Sequence, residues 1–191
     1  MPAKKNQLTV ILLIIIALMG TEIIYLVYQN RKLQSMVGDP TSYFKTLKPD
    51  QSVPSIRARD IEGKDISFRY SPAEPYTLLL WFSAACEACR TNFEFWNELY
   101  DGRIDSRIRF AGFCSGTPDE SRQIASEQNI RFPVLSISDP SMVEAFGGNI
   151  LPQTILISPE GKVLNSWPGA LEKKGKDEII SELQARGTII R

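Results

Sequence analysis

The hydrophobic pattern changes character three times along the chain. From Leu8 to Tyr28, 17 of 21 positions are apolar, and a helix rising about 1.5 Å per residue would carry this run roughly 31 Å, the thickness of a bilayer's hydrocarbon core. A cleaved secretory signal needs small residues at a fixed spacing. Ala17-Leu18-Met19-Gly20 lacks that spacing, and apolar character resumes at Ile23-Ile24-Tyr25-Leu26-Val27. The segment therefore reads as an uncleaved signal anchor that crosses once, with residues 1–7 as a cytoplasmic N-terminus. Lys4 and Lys5 before it are nearly balanced by Arg31 and Lys32 after it, so charge alone does not orient it. Glu22 falls inside the run, where it reads as a carboxyl that protonates or reaches toward the interface near Tyr25 and Tyr28, with a contact to a partner helix as the alternative.

Residues 29–52 lose this periodicity and contain the turn signal Gly38-Asp39-Pro40, which marks a linker. Residues 53–191 then alternate strand and helix patterns, as one domain. Ser55–Asp60 and Lys64–Phe68 flank the turn Ile61-Glu62-Gly63 as two short strands. Tyr76–Phe82 is an unbroken apolar run of strand length, the pattern of a central strand covered on both faces. Cys89, Phe93, Trp96 and Tyr100 recur at helical spacing, predicting a helix that begins near Cys86 with one apolar stripe.

Arg107–Cys114 and Phe132–Ser138 are further strands. Between them Pro118–Gln128 reads as a helix that Thr117 and Glu120 would cap reciprocally. A short helix over Pro140–Phe146 precedes a hairpin, Thr154–Ser158 and Lys162–Trp167 about Pro159-Glu160-Gly161. A polar helix, Leu171–Ala185, closes the chain before Gly187. This order predicts an α/β domain with a mixed central sheet flanked by helices, preceded by one transmembrane helix.

Charge and composition remove several functions. The 22 basic and 22 acidic residues cancel overall, but Lys4, Lys5, Arg31, Lys32, Lys45 and Lys48 face only Glu22 and Asp39 in the first 49 residues. The domain is thus acidic on balance, with no electrostatic support for nucleic-acid binding. The absence of histidine excludes Ser-His and Cys-His triads, Cys2His2 zinc and C-x-x-C-H haem attachment. Three cysteines are too few for a disulfide scaffold, which leaves redox or structural use.

The chemistry concentrates in Trp81-Phe82-Ser83-Ala84-Ala85-Cys86-Glu87-Ala88-Cys89-Arg90, a C-x-x-C where a buried strand passes into a helix. Two intervening residues bring the sulfurs within disulfide reach. The free N–H groups of the first turn favour a thiolate on Cys86, while Cys89 faces inward along the apolar stripe, placed to attack a mixed disulfide on Cys86. A zinc site would need two more ligands, and only Cys114 remains. The plainest alternative is two packed cysteines of no chemical consequence. Cys114 itself, at the end of a predicted strand, reads as a small buried hydrophobe, with a third redox thiol as the alternative.

From about Val53 to Leu183 the chain resembles the membrane-anchored TlpA/ResA branch of the thioredoxin-like proteins, a redoxin of AhpC/TSA type. The residues carrying the resemblance are Val53-Pro54, Asp60-Ile61-Glu62-Gly63-Lys64, the Trp81–Cys89 stretch, Phe132-Pro133-Val134-Leu135, Leu151-Pro152-Gln153-Thr154 and Ile157–Val163. The resemblance implies a thioredoxin-like fold. It also implies a thiol-disulfide oxidoreductase with Cys86 as attacking and Cys89 as resolving thiol, and with Leu151 and a cis Pro152 presenting backbone groups to a substrate peptide. It needs no cofactor. It further implies an extracytoplasmic domain on a single-pass anchor in the cell membrane, disulfide-bearing clients such as maturing apocytochrome c, and a transmembrane thiol reductase as electron donor.

Several departures bear on the chemistry. The family often has Trp before the first cysteine and Pro before the second, where this chain has Ala85 and Ala88. The buried carboxylate that thioredoxins carry six residues before the first cysteine is here Leu80. Glu87 disfavours a thiolate on Cys86, opposing the helix dipole and Arg90, and this points to a reductant rather than a strong oxidant.

Two other functions are compatible with parts of the sequence. Ser83-Ala84-Ala85-Cys86 imitates the T-x-x-C of a peroxiredoxin, although Leu79 stands where its proline belongs. A non-catalytic assembly or metal-binding module on the same fold would use C-x-x-x-C and a distant His, and the chain has neither.

Overall fold

The computed structural model describes residues 3–37, 46–102, 107–148 and 150–187. The linker turn Gly38-Asp39-Pro40 and Lys45 lie outside these residues. The chain forms two compact units, Met1–Tyr43 and Phe44–Arg191.

The described residues of the first unit form one helix, α1 (Ala3–Val37, 35 residues). Within it Leu13–Lys32 has a mean hydropathy of 1.5, long and apolar enough to cross a bilayer. Its large apolar side chains, Ile14, Leu18, Ile24 and Leu26 among them, are exposed. The apolar positions surround the helix instead of forming one stripe, as a helix surrounded by lipid requires.

The second unit is built on a seven-stranded sheet, in the order β2-β1-β5-β4-β3-β6-β7. Its strands are β1 (Ile56–Asp60), β2 (Asp65–Phe68), β3 (Tyr76–Ser83), β4 (Ile108–Ser115), β5 (Val134–Ile137), β6 (Gln153–Ile157) and β7 (Val163–Pro168). β3, β4 and β5 run parallel, while β6 lies antiparallel to β3 and β1 antiparallel to β5. The helices are α2 (Arg90–Gly102), α3 (Pro118–Glu127), α4 (Pro140–Ala145) and α5 (Lys173–Ala185). The expected mixed α/β architecture is therefore present.

The unbroken apolar run of β3 follows from its position between β4 and β6. Leu78, Leu80 and Phe82 point to one face and Leu79 and Trp81 to the other, and all five are fully buried. Two right-handed crossovers, β3-α2-β4 and β4-α3-β5, step in the same direction and so place α2 and α3 on one face. Phe93, Trp96 and Leu99 of α2, Ile124 of α3, and Ile179 and Leu183 of α5 form that layer with Leu80 and Phe82. Met142 of α4, with Phe146, covers the opposite face with Leu79, Trp81 and Phe113. Gly112 of β4 allows the close approach of Phe132, because an added Cβ would lie 2.6 Å from its ring.

The capping of α3 is as the sequence predicts. Thr117 Oγ1 accepts from the Glu120 N–H, and the Glu120 carboxylate accepts from the Thr117 N–H at 2.7 Å. The Thr117 N–H and the Thr117 hydroxyl both donate to that carboxylate and hold it below its usual range.

Residues 46–52 pack against the sheet, N-terminal to Val53. The Asp50 N–H donates to the Val163 carbonyl and the Val163 N–H to the Gln51 carbonyl, each at 2.9 Å. Leu47 is buried, and its carbonyl accepts from Ser166 Oγ at 2.9 Å. A lone leucine between lysines carries no period, so its burial depends on the open edge of β7 being there to receive it.

Candidate functional site: a dithiol turn beside a cis proline

β3 delivers the chain to the site. Past Ser83 it turns through Ala84 and Ala85, with the Cys86 N–H donating to the Ser83 carbonyl at 3.2 Å. Cys86 is extended (φ −89°, ψ 99°) and caps a short 3₁₀ turn, Glu87–Cys89, that runs directly into α2. The α-helix thus begins at Arg90 rather than near Cys86, because the tighter turn precedes it. The 3₁₀ turn draws the two cysteine Cα atoms to 5.4 Å, and Cys86 and Cys89 form a disulfide.

The two sulfurs differ in access. Cys86 is half-buried at the edge of the α2 layer, whereas Cys89 is fully buried beside Phe93 and Trp96. Only Cys86 can be approached by a large partner. Glu87 next to it is exposed, and its carboxylate accepts from Arg90 Nε at 3.0 Å, so its charge is partly offset. No buried polar side chain among the described residues is acidic. Leu80, where a thioredoxin carries its carboxylate, is fully buried opposite Thr154 of β6.

β6 begins where β3 ends, since the strands are antiparallel with Trp81 opposite Gln153. The two residues before β6, Leu151 and Pro152, are therefore brought beside the dithiol turn. The Leu151–Pro152 bond is cis. Leu151 packs against both core layers, and the buried Gln153 donates from Nε2 to the Gly147 carbonyl, tying down the preceding loop. Trp81 stiffens the same corner. Its Nε1 donates to Ser115 Oγ at 2.7 Å, and its ring lies so close to Gly148 that a Cβ there would meet it at 3.0 Å.

Cys86, Cys89, Leu151 and Pro152 are thus gathered at one end of the sheet. Ser115 and Asn92 escaped the sequence reading, which named Gln153 within the Leu151–Thr154 stretch but gave it no role. A buried polar residue flanking an apolar stripe was the available signal for Asn92, which is fully buried on α2. Gln153 and Ser115 gave none, because their partners lie elsewhere in the chain.

Cys114 stands apart. It is fully buried in the α2 layer, opposite Phe82 on the neighbouring strand, as a small hydrophobe should be. Burial pushes its thiol pKa up from 9.0, partly offset by hydrogen bonds from the Ser121 hydroxyl and the Ala84 backbone. N-ethylmaleimide should label Cys114 at least a hundredfold more slowly, as an order of magnitude, in the folded chain than in denaturant. Raising the pH toward 9.0 should speed labelling of the unfolded chain much more than of the folded one. Equal rates would mean that Cys114 is accessible.

Comparison with known proteins agrees with this arrangement. The thiol-disulfide oxidoreductase ResA of Bacillus thuringiensis subsp. konkukian is 22% identical over 184 residues, covering 94% of this chain and 98% of its own length. ResA of Bacillus subtilis is 24% identical over 172 residues, 88% of each chain. The thioredoxin domain of a thiol-disulfide oxidoreductase from Bacteroides vulgatus superposes with a TM-score of 0.61 at 18% identity, over 72% of this chain and 99% of that domain, and so shares the fold. Residues 49–166, which hold the dithiol turn, the cis proline and all the strands from β1 to β6, match the AhpC/TSA family model, and the chain belongs to that family.

Proposed function

We propose that this thiol-disulfide oxidoreductase works as a membrane-tethered reductase of disulfides in extracytoplasmic client proteins, with α1 as its anchor. The observation that carries the reading is the unequal burial of a bonded pair, an approachable Cys86 joined to a buried Cys89 beside a cis proline.

Each sulfur then has one task. In the reduced protein the Cys86 thiolate attacks one sulfur of a client disulfide. The client S–S bond breaks, the leaving sulfur takes up a proton, and a mixed disulfide joins Cys86 to the client. Cys89 gives up its proton and attacks Cys86 Sγ, which closes the Cys86–Cys89 bond and frees the second client thiol. Two electrons have passed to the client, and a dithiol donor must return them. The clients fitting this reading are maturing extracytoplasmic proteins such as apocytochrome c, and the donor is a transmembrane thiol reductase. Leu151 and Pro152 would present the backbone against which the client segment lies.

With no buried carboxylate among the described residues to receive it, the Cys89 proton must leave by water or a hydroxyl, so the resolving step is the one most sensitive to pH. Glu87 favours the protonated and bonded forms of Cys86 over its thiolate, which lowers the potential of the pair.

The test is an equilibrium titration of the full chain, in detergent micelles, against thiol–disulfide buffers, with the Cys86–Cys89 state read by mass. Leu47 belongs to the core, so a chain shortened to begin at Val53 would lack part of it. A potential near or below about −270 mV supports a reductase, and one near about −120 mV would make it an oxidant. A pair that exchanges with no buffer would end the catalytic reading.

A further inference from the structure

The most conspicuous buried polar group that this chemistry leaves unused is Asn92. It sits one residue before Phe93 on the buried side of α2, three positions after Cys89, and is fully enclosed. An amide in such a place must satisfy its donors and acceptor within the protein. Asn92 does so with the turn that follows β7. Its Oδ1 accepts from the Leu171 N–H at 2.9 Å, and its Nδ2 donates to the Gly169 carbonyl at 3.3 Å. Both bonds go to backbone 77 and 79 residues away.

The turn passes the link onward. The Gly169 N–H donates to the Pro152 carbonyl at 2.7 Å, so one peptide unit of the turn touches the cis proline while its neighbours hold Asn92. Gly169 has φ +87°, a conformation that glycine adopts readily and other residues adopt at a cost. The chain of contacts therefore runs from α2, through Asn92 and the Gly169 turn, to Pro152. It joins the helix that follows the dithiol turn to the loop opposite the two sulfurs by hydrogen bonds whose geometry is specific, where apolar packing alone would let the two surfaces slide.

We infer that Asn92 is a positioning residue: it sets the width and alignment of the groove between the Cys86 turn and the Leu151–Pro152 loop, and thereby the binding of an extended client peptide. This rests on the proposed reductase function. A small disulfide that reaches Cys86 without lying along the loop has no need of the link. The expected consequence is a separation between substrates that a general loss of folded protein would not produce.

The experiment compares reduction of insulin, a protein disulfide, with reduction of hydroxyethyl disulfide by the full chain in micelles. Asn92→Leu removes both bonds to the turn, together with the 3.5 Å bond from Thr91 Oγ1, at similar volume. It should raise KM for insulin about tenfold, the scale of one hydrogen bond's contribution, and leave kcat and the hydroxyethyl disulfide rate within about twofold. Gly169→Ala perturbs the same link from the other end. Nothing lies within 4 Å of the added Cβ, so it strains the turn without a clash, and KM for insulin should rise in the same direction. This second variant decides the matter if Asn92→Leu does not fold.

Equal losses on both substrates, or none on either, in a folded variant would overturn the inference while leaving the reductase reading intact. A wild-type chain that reduces neither substrate would remove both.

Discussion

Replacing Cys86 by Ser should abolish disulfide reduction, by at least three orders of magnitude as a rough scale, because no other thiol can be approached from outside. Cys89 is fully buried, as is Cys114. Cys89→Ser should behave differently. The first attack remains possible, but nothing resolves its product, so turnover should stop with a client held on Cys86 as a mixed disulfide. Insulin reduction with a small-thiol regenerant measures the first variant, and intact-mass analysis after a single turnover measures the second. Adducts accumulating on Cys89 in the Cys86→Ser chain, with none on Cys86 in its counterpart, would exchange the two roles. Neither substitution removes much apolar contact, so both variants should fold.

The second large effect concerns the floor beneath the dithiol turn. Trp96 of α2 is fully buried among the rings of Phe82, Phe93 and Phe132, with centroids 5.7 to 6.3 Å away. Its Nε1 donates to Thr154 Oγ1 of β6 at 3.0 Å, a buried bond between the helix and the strand that follows the cis proline. Trp96→Ala should cost about 3–5 kcal/mol, since it opens a cavity between α2 and the sheet and leaves the threonine without its donor. Trp96→Phe keeps most of the ring contact and loses only the N–H and part of the volume, so its cost should be nearer 1–2 kcal/mol, as an estimate. Urea unfolding of the full chain in micelles, followed by fluorescence of the remaining tryptophans, gives both values. A loss below about 1 kcal/mol for Trp96→Ala would mean that the layer repacks and that α2 is held by other contacts. Because Trp96 lies two turns below Cys89 on the same stripe, the Ala variant should also slow resolution of the mixed disulfide.

These two predictions draw on information of different kinds. The roles proposed for Cys86 and Cys89 rest on a local motif, in which spacing and the passage from an apolar run to a helical stripe already place two thiols together. The bond from Trp96 to Thr154 spans 58 positions, and no local pattern marks it. Where the helix begins is an intermediate case. A stripe reaching back to Cys89 suggested α-helix from Cys86, yet the first turn is 3₁₀, because the chain leaving β3 must tighten before it can follow the direction of α2. Thr117 and Glu120 show the opposite situation, since both halves of their exchange lie three residues apart and could be read directly.

Local order in the chain determined the elements, the membrane-length apolar helix, the strand covered on both faces, the capped helix and the dithiol turn. Each rests on periodicity or on contacts within a few residues, and these act before any fold exists. Tertiary structure alone decided that Leu47 enters the core at the edge of β7 and that the Gly169 turn reaches both Asn92 and Pro152. Those outcomes depend on strand order and register, which bring together backbone groups tens of residues apart. A buried amide or leucine looks the same in sequence whatever partner the sheet later supplies.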